Sequence, residues 1–180
     1  MDLVLMGGSL RVGSLNTRYI NHLNGELQAL GHRTGTFAGP DLRWPLYEDG
    51  LPAPAQALAL AEAMRKGAGL IVVSPEYNAG IPGHLKNAVD WLSTLSPSPW
   101  AGVPVLLCAC SPGAFGGARG MLSWRATLAN MGALAVPQSL TIPHADVNLD
   151  PEGRPVEART ADLTRSTLEG FVGFCAKLGR

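Results

Sequence analysis

The order of apolar patterns along the chain is the feature that most constrains its fold. Short apolar runs, which predict buried strands, alternate with segments whose apolar residues recur every three or four positions, which predict helices. In the first such helix the apolar stripe consists of Ile20, Leu23, Leu27 and Leu30. Gly31 follows where a helix end favours a positive φ. Strand and helix alternate about five times, and this order predicts a parallel sheet with helices on both faces.

The predicted elements fit into one domain over residues 1–180, a length that allows one substantial core. Residues 143–160 lack a regular apolar pattern and predict a long surface loop. The predicted strands lie at residues 2–6, 33–37, 69–74 and 103–110 and within 134–142. The predicted helices lie at about 16–30, 54–66, 84–93 and 118–131 and at the end of the chain.

Three loops follow the first, third and fourth predicted strands, and all three are rich in Gly, Ser, Pro or Asn. They comprise residues 7–17, 75–83 and 111–117. Sheets of this kind bind ligands outside the carboxyl ends of their strands, where the strand order reverses. We therefore expect the three loops to form one pocket.

The first loop has the composition of an anion site. Its glycines bare backbone N–H groups, Ser9, Ser14 and Thr17 add hydroxyl donors, and Arg11 adds a charge beside a helix start. It lacks the Lys of a nucleoside-triphosphate loop and the Cys of a cysteine phosphatase, so a phosphate monoester is the favoured ligand. A strand-to-helix turn with a Ser or Asn cap explains this loop equally well when it is considered alone.

The second loop combines backbone amides and small residues with one aromatic side chain. It suits the edge of a flat heterocycle, with Tyr77 at the rim. A Pro/Gly turn whose Tyr77 covers the core is the alternative. Glu76 has no adjacent His or Ser partner that would make it a general base, so we interpret it as structural or interfacial.

Composition excludes several classes of partner. The 14 acidic and 14 basic residues cancel, so the chain lacks the charge that binds nucleic acid or an anionic membrane. Cys108, Cys110 and Cys175 form no metal or disulfide spacing, and we interpret them as reduced core residues of a cytoplasmic protein. No basic leader and no apolar stretch of about 20 residues is visible, which disfavours secretion and membrane insertion.

Four segments in register resemble the NADPH-dependent FMN reductase family, which includes bacterial quinone, chromate and azo-dye reductases. They are residues 8–16 (GSLRVGSLN), 74–78 (SPEYN), 83–91 (GHLKNAVDW) and 116–119 (GGAR). The resemblance implies an α/β flavodoxin-like fold, doubly wound around a five-stranded parallel sheet of order 2-1-3-4-5. It also implies bound FMN, with NADPH or NADH as co-substrate, and a homodimer or homotetramer with residues 83–91 at the interface.

The resemblance also assigns roles to individual residues. The phosphate of FMN would be held by Ser9, Arg11, Ser14, Asn16 and Thr17. The isoalloxazine ring would be lined, largely by backbone, by Pro75, Glu76, Tyr77 and Asn78, with Gly80 allowing close approach. Ser111 and Gly113 would flank the ribityl chain or the ring edge, although Pro112 between them has no N–H to donate. Lys86 and Asp90 would pair across the subunit interface, while a solvated helix face explains them equally well.

The implied activity is a ping-pong reduction in which NAD(P)H reduces the flavin and a quinone, azo or nitro compound, chromate or free flavin reoxidises it. No catalytic side chain and no metal ligand is assigned, because the cofactor carries the chemistry. Trp44, Tyr47 and Phe115 are expected near the open side of the ring. One alternative is a flavodoxin-like electron carrier or flavin-binding module without its own NAD(P)H activity, although carriers tend to be acidic. Another is a chain that binds a different phosphate ligand.

Overall fold

A computed structural model describes residues 1–179, and Arg180, the last residue of the predicted domain, lies outside the described part. All five predicted strands are present. They are β1 (Asp2–Gly7), β2 (Arg33–Ala38), β3 (Gly69–Val73), β4 (Pro104–Cys110) and β5 (Leu134–Ile142). They form one parallel sheet of order β2-β1-β3-β4-β5, which confirms the predicted order.

The predicted helices are also present, with small shifts of their ends. They are α1 (Leu15–Ala29), α2 (Ala55–Lys66), α3 (Gly83–Ser93), α4 (Ala118–Asn130) and, at the end of the described chain, α6 (Ala158–Lys177). Gly31 has a φ of +83°, as the pattern after α1 predicts. None of the helices described within residues 1–179 is both long and apolar enough to span a bilayer.

Each face of the sheet has its own apolar core because neighbouring residues of a strand point to opposite sides. On β4, Val105 and Leu107 pack with residues of α2, α3 and α4, whereas Leu106 and Cys108 pack with residues of α1 and α6. The strands β3 and β4 are buried throughout, which explains why they appear in the sequence as unbroken apolar runs. The three cysteines are buried in the second of these cores.

Most of residues 143–160 are irregular, and most are exposed, as the sequence predicts, but the prediction of an unbroken surface loop is wrong in part. A short helix, α5 (Ala145–Asn148), follows β5, and Leu149 forms an antiparallel bridge with Pro155. Ala145 and Leu149 are buried in the core beneath α1 and α6. The segment has no local apolar period because tertiary contacts, not its own helix or strand pattern, hold it in place.

Gly153 shows how closely this segment approaches α1. Its φ is +86°, and a Cβ added there would lie 2.4 Å from the carbonyl carbon and oxygen of Arg18. The backbone of the 150–155 turn therefore rests directly on the backbone of α1, and only glycine fits at this point.

We expect Gly153→Ala to lower the free energy of unfolding by roughly 3 kcal/mol or more, since it combines the cost of a left-handed alanine with a backbone clash. Gly132→Ala is the matched control, because Gly132 has a φ of +75° but open space around its Cβ direction. It should lose only about 1 kcal/mol. Urea denaturation measures both values, and equal losses would mean that the 150–155 turn is not packed against α1.

Candidate functional site

The three loops predicted to form a pocket lie at the carboxyl edge of the sheet, where hydrogen bonds connect them to one another and to neighbouring helices. The hydroxyl groups of Ser9 and Tyr77 lie 3.1 Å apart and join the first loop to the second. Nε2 of His84 lies 3.3 Å from the carbonyl oxygen of Gly8 and joins the start of α3 to the first loop. The carboxylate of Glu76 connects the second loop to the start of α4.

The first loop leaves the start of α1 open to an anion. Ser14 precedes the helix but its side chain makes no capping hydrogen bond, and the first turn of α1 contains no acidic residue. The backbone N–H groups at the start of a helix have no intrahelical partner and carry partial positive charge. The Arg11 side chain is exposed, and within residues 1–179 its guanidinium has no hydrogen-bond partner.

The remaining polar groups of this loop fix its shape. The Thr17 hydroxyl accepts a 3.2 Å hydrogen bond from the backbone N–H of Ser9, and the Ser9 hydroxyl accepts one of 3.3 Å from the backbone N–H of Arg11. A Cβ on Gly7 would lie 1.9 Å from the carbonyl oxygen of Val73, so the loop leaves β1 where only glycine fits. The loop is thus held in one shape by its own side chains.

Asn16, predicted as a phosphate ligand, uses both ends of its side-chain amide elsewhere. Its Nδ2 donates to the carbonyl oxygen of Cys110 at 2.8 Å, and its Oδ1 accepts from the backbone N–H of Cys110 at 3.1 Å. The side chain is buried, and Cys110 is the last residue of β4. Asn16 therefore sets the position of the first loop relative to the third, while its backbone N–H belongs to the open turn of α1.

The second loop contains an unusual two-residue turn. Tyr77 and Gly80 exchange hydrogen bonds of 3.2 and 3.0 Å between their backbones. The central residues, Asn78 and Ala79, both have positive φ, at 52° and 61°. A non-glycine residue in this region costs about 1–3 kcal/mol and persists only when its surroundings require it. Both residues are exposed and make no hydrogen bond within residues 1–179, so their N–H groups are available to a ligand.

The side-chain contacts of Glu76 give it a structural role. Its Oε1 accepts from Nε of Arg119 at 2.8 Å, and its Oε2 accepts from the backbone N–H of Gly120 at 3.1 Å. The Glu76 side chain is only 7% exposed, and Arg119 in turn lies 5.2 Å above the ring of Phe115. The carboxylate thus accepts hydrogen bonds from the first turn of α4 and is not free to act as a base.

The third loop is folded on itself. The Ser111 hydroxyl accepts a 3.1 Å hydrogen bond from the backbone N–H of Gly113, and the backbone of Ser111 bonds to Ile142 and Ala145. Phe115, within the loop, is 64% exposed. The loop is therefore anchored to the segment after β5, a contact that the sequence pattern did not indicate.

Trp44 does not lie at the open side of the site as expected. It is buried, and its indole N–H donates to the carbonyl oxygen of Asp41 at 2.7 Å. Asn87 of α3 holds the same segment by donating to the carbonyl oxygen of Pro45 and accepting from the N–H of Tyr47. Leu46, between them, is the exposed residue at 82%.

The Lys86 and Asp90 side chains, predicted to pair across an interface, pair with each other at 2.5 Å in this chain. Both are partly exposed on α3. The contact gives a local partner to two charges whose order along the helix is unfavourable.

Comparisons with known proteins identify the family of the chain. A family model for NADPH-dependent FMN reductases matches residues 1–146. The quinone reductase of Escherichia coli (strain K12) is 34% identical over 186 residues, which cover 99% of this chain and 97% of that protein. An NAD(P)H-dependent FMN reductase of Pseudomonas aeruginosa is 30% identical over 94% of both chains.

Among solved structures, the flavoenzyme NAD(P)H:(acceptor) oxidoreductase FerB from Paracoccus denitrificans superposes with a TM-score of 0.85 at 26% identity, over 98% of this chain and 97% of that one. The strand order and this superposition thus define a fold of the flavodoxin-like class. The chain belongs to the NADPH-dependent FMN reductase family. Its cofactor is FMN and its reductant is NAD(P)H.

His84 was not assigned a role from the sequence, because a lone His at a helix start is indistinguishable from a surface residue. Its ring is partly buried against Gly8, and this burial lowers the pKa of His84 below its usual value. His22, half-buried on α1, has a pKa lowered for the same reason. His84 is therefore neutral at pH 7 and donates through Nε2 to Gly8.

We expect the free energy of unfolding to fall as the pH is lowered from 7.5 to 5.5. The unfolded chain takes up a proton at His84 near pH 6.5, whereas the folded chain, whose His84 pKa is lower, takes it up only at more acid pH. His84→Asn should flatten this dependence in part, since His22 contributes in the same direction. His144→Asn, at an exposed position, is the control. An unchanged slope in His84→Asn would show that His84 is not buried against Gly8.

Proposed function

We propose that the chain is an NAD(P)H-dependent reductase that works in two half-reactions and that quinones are its principal acceptors. The observation that carries the proposal is the pairing of an open, positively polarised helix start with a turn of exposed N–H groups on the neighbouring loop. The first suits a phosphate and the second suits the polar edge of a flat ring. Two relatives named as quinone reductases, one of them a 2-hydroxy-1,4-benzoquinone reductase, support the choice of acceptor.

Within this proposal the phosphate of FMN is bound by Ser9, Ser14, Arg11 and the N–H groups of Asn16 and Thr17. The absence of an acidic side chain in the first turn of α1 favours a dianion at this point. The Ser9 hydroxyl accepts from Arg11 N–H, so Arg11 and Ser9 are already oriented relative to each other. The Asn16 and Thr17 side chains act indirectly by holding the loop.

The ring is bound mainly by backbone groups of the second loop. Asn78 and Ala79 present their N–H groups from the positive-φ turn, and Gly80 closes it. Pro75 and Tyr77 line the ring, and Glu76 fixes this loop against α4 through Arg119 and Gly120. Ser111 and Gly113 flank the ribityl chain or the ring edge.

FMN, when bound, supplies the redox chemistry: it accepts a hydride from NAD(P)H and passes the electrons to the acceptor. The residues of the chain bind and orient the reactants and move no proton in this scheme. Glu76 is committed to Arg119, and the Tyr77 hydroxyl is paired with Ser9. Burial raises the pKa of the Cys110 thiol to about 12, so this cysteine remains protonated and is not a nucleophile.

A homodimer or homotetramer with residues 83–91 at its interface, and a cytoplasmic location, are parts of the same proposal. Leu46 is 82% exposed on a segment held rigidly by Asn87 of α3. Leu122 on α4 is 72% exposed. Apolar side chains of this size favour burial against another protein surface.

We expect the FMN-loaded protein to oxidise NADPH in the presence of 1,4-benzoquinone. Initial rates measured at several fixed quinone concentrations should give parallel double-reciprocal lines, as two half-reactions with a shared site require. Nitro and azo compounds, chromate and free FMN are tested as alternative acceptors in the same assay. Intersecting lines would contradict the two half-reactions, and bound FMN without turnover would instead favour the electron carrier.

We expect Arg11→Ala to raise the dissociation constant of FMN by about tenfold to a hundredfold, since a hydrogen bond to a charged group contributes about 1.5–3 kcal/mol. Arg33→Ala is the matched control, because Arg33 is exposed at the opposite edge of the sheet and pairs with Asp2. Flavin fluorescence titration of the apoprotein measures both. Equal affinity in Arg11→Ala and wild type would remove Arg11 from the phosphate site.

A further inference from the structure

A cavity of about 480 Å³, open to solvent on one side, lies between the first half of β4, the middle of β5 and the C-terminal half of α6. Its volume falls within the range of about 300–1,000 Å³ that is usual for small-molecule sites. It lies on the face of the sheet that α1 and α6 cover. No residue of the proposed flavin site lines it.

One wall of the cavity is a bulge in β5. Val105 pairs with Ala135, but Leu107 pairs with Ser139, so three residues of β5 lie opposite Leu106 alone. These three residues, Val136, Pro137 and Gln138, line the cavity together with Leu106. Bulges of this kind redirect strand residues and recur at functional sites.

Arg125 of α4 holds the bulge in place. Its guanidinium donates to the carbonyl oxygens of Val136 and Pro137 at 2.8 Å each, and at 3.5 Å to that of Gln138. Carbonyl groups that the bulge removes from the sheet therefore have a charged partner. The shape of this wall is a fixed feature of the structure.

The opposite wall is α6, where Gly170 and Gly173 face the cavity. A Cβ at either position would meet no heavy atom within 4 Å, so packing does not require glycine there. Gly69 on β3 differs, because its Cβ would lie 2.7 Å from the sulfur of Cys175. Each glycine within a helix costs about 1 kcal/mol relative to alanine, and the two in α6 leave the cavity open.

The lining combines an apolar floor with one positive charge. Leu106, Val136 and Phe171 are buried and form the floor. Among the described residues that line the cavity, Lys177 carries a positive charge and none carries a negative charge. Hydroxyl and amide groups of Ser166, Thr167 and Gln138 complete the lining. A ligand with an apolar body and one negative charge matches this distribution.

We propose that this cavity is a second binding site, for a small amphipathic monocarboxylate. The apolar body lies against Phe174, which is 37% exposed, above the floor of Leu106, Val136 and Phe171, and the carboxylate pairs with Lys177. The site is independent of the flavin site and of the proposed function.

Calorimetric titration of the FMN-loaded protein with decanoate, below its micelle concentration, tests the proposal. We expect one saturable site per chain. Gly170→Leu fills the cavity and should weaken binding at least tenfold, and Lys177→Gln should weaken it about threefold to tenfold. Decanol, which has the same chain without the charge, should bind more weakly than decanoate.

Two matched variants serve as controls. Gly25→Leu changes an exposed glycine of α1 that also has open space around it, and Lys66→Gln removes an exposed lysine of α2. Both should bind decanoate as wild type does. Binding that does not saturate, or that is equal in Gly170→Leu and Gly25→Leu, would overturn the proposal. Circular dichroism checks folding, and Gly173→Leu replaces Gly170→Leu if the latter does not fold.

Discussion

The exchange of two hydrogen bonds between the Asn16 side chain and the backbone of Cys110 holds the site together. In a parallel sheet the N–H and C=O of one residue point to the same neighbouring strand. The last pairing of β4 with β3 is Val73 with Cys108, so Cys110 extends beyond the strand that would have paired with it. The amide of Asn16 takes the place of that strand. The start of α1 and the end of β4 are consequently fixed in one position relative to each other.

The charge distribution at the site depends on a second long-range contact. Glu76 stands in a loop that adjoins a predicted phosphate site, where an uncompensated carboxylate would repel the ligand. Arg119 and the N–H of Gly120 neutralise it instead, and the Glu76 side chain is largely withdrawn from solvent. Arg11 remains as the cation without a partner in the described loops. Contacts from α4 therefore decide that the carboxylate is paired, while the guanidinium of Arg11 stays available.

The strands and helices could be predicted, because strands buried on both faces and helices with one apolar stripe leave local patterns. The order of the strands came from the resemblance to the family and not from these patterns. The composition of the loops also predicted which residues belong to the site. The hydrogen-bond partners of Asn16 and Glu76 could not be predicted, since they lie 94 and 44 residues away along the chain. The same reason applies to residues 143–160, whose Leu149 is buried in a core with residues of α1 and α6. Trp44 resembles a site residue in the sequence, but its indole N–H donates to a nearby backbone carbonyl and its ring packs in the core.

The contact between Arg125 and the β5 bulge has a consequence for the behaviour of the chain in concentrated solution. β5 is an outer strand of the sheet, and such a strand is a template for pairing with a second molecule. Pro137 has no N–H to offer, and Arg125 occupies carbonyl groups that an incoming strand would need. The edge of the sheet is thereby interrupted at its middle, which protects the protein against edge-to-edge aggregation.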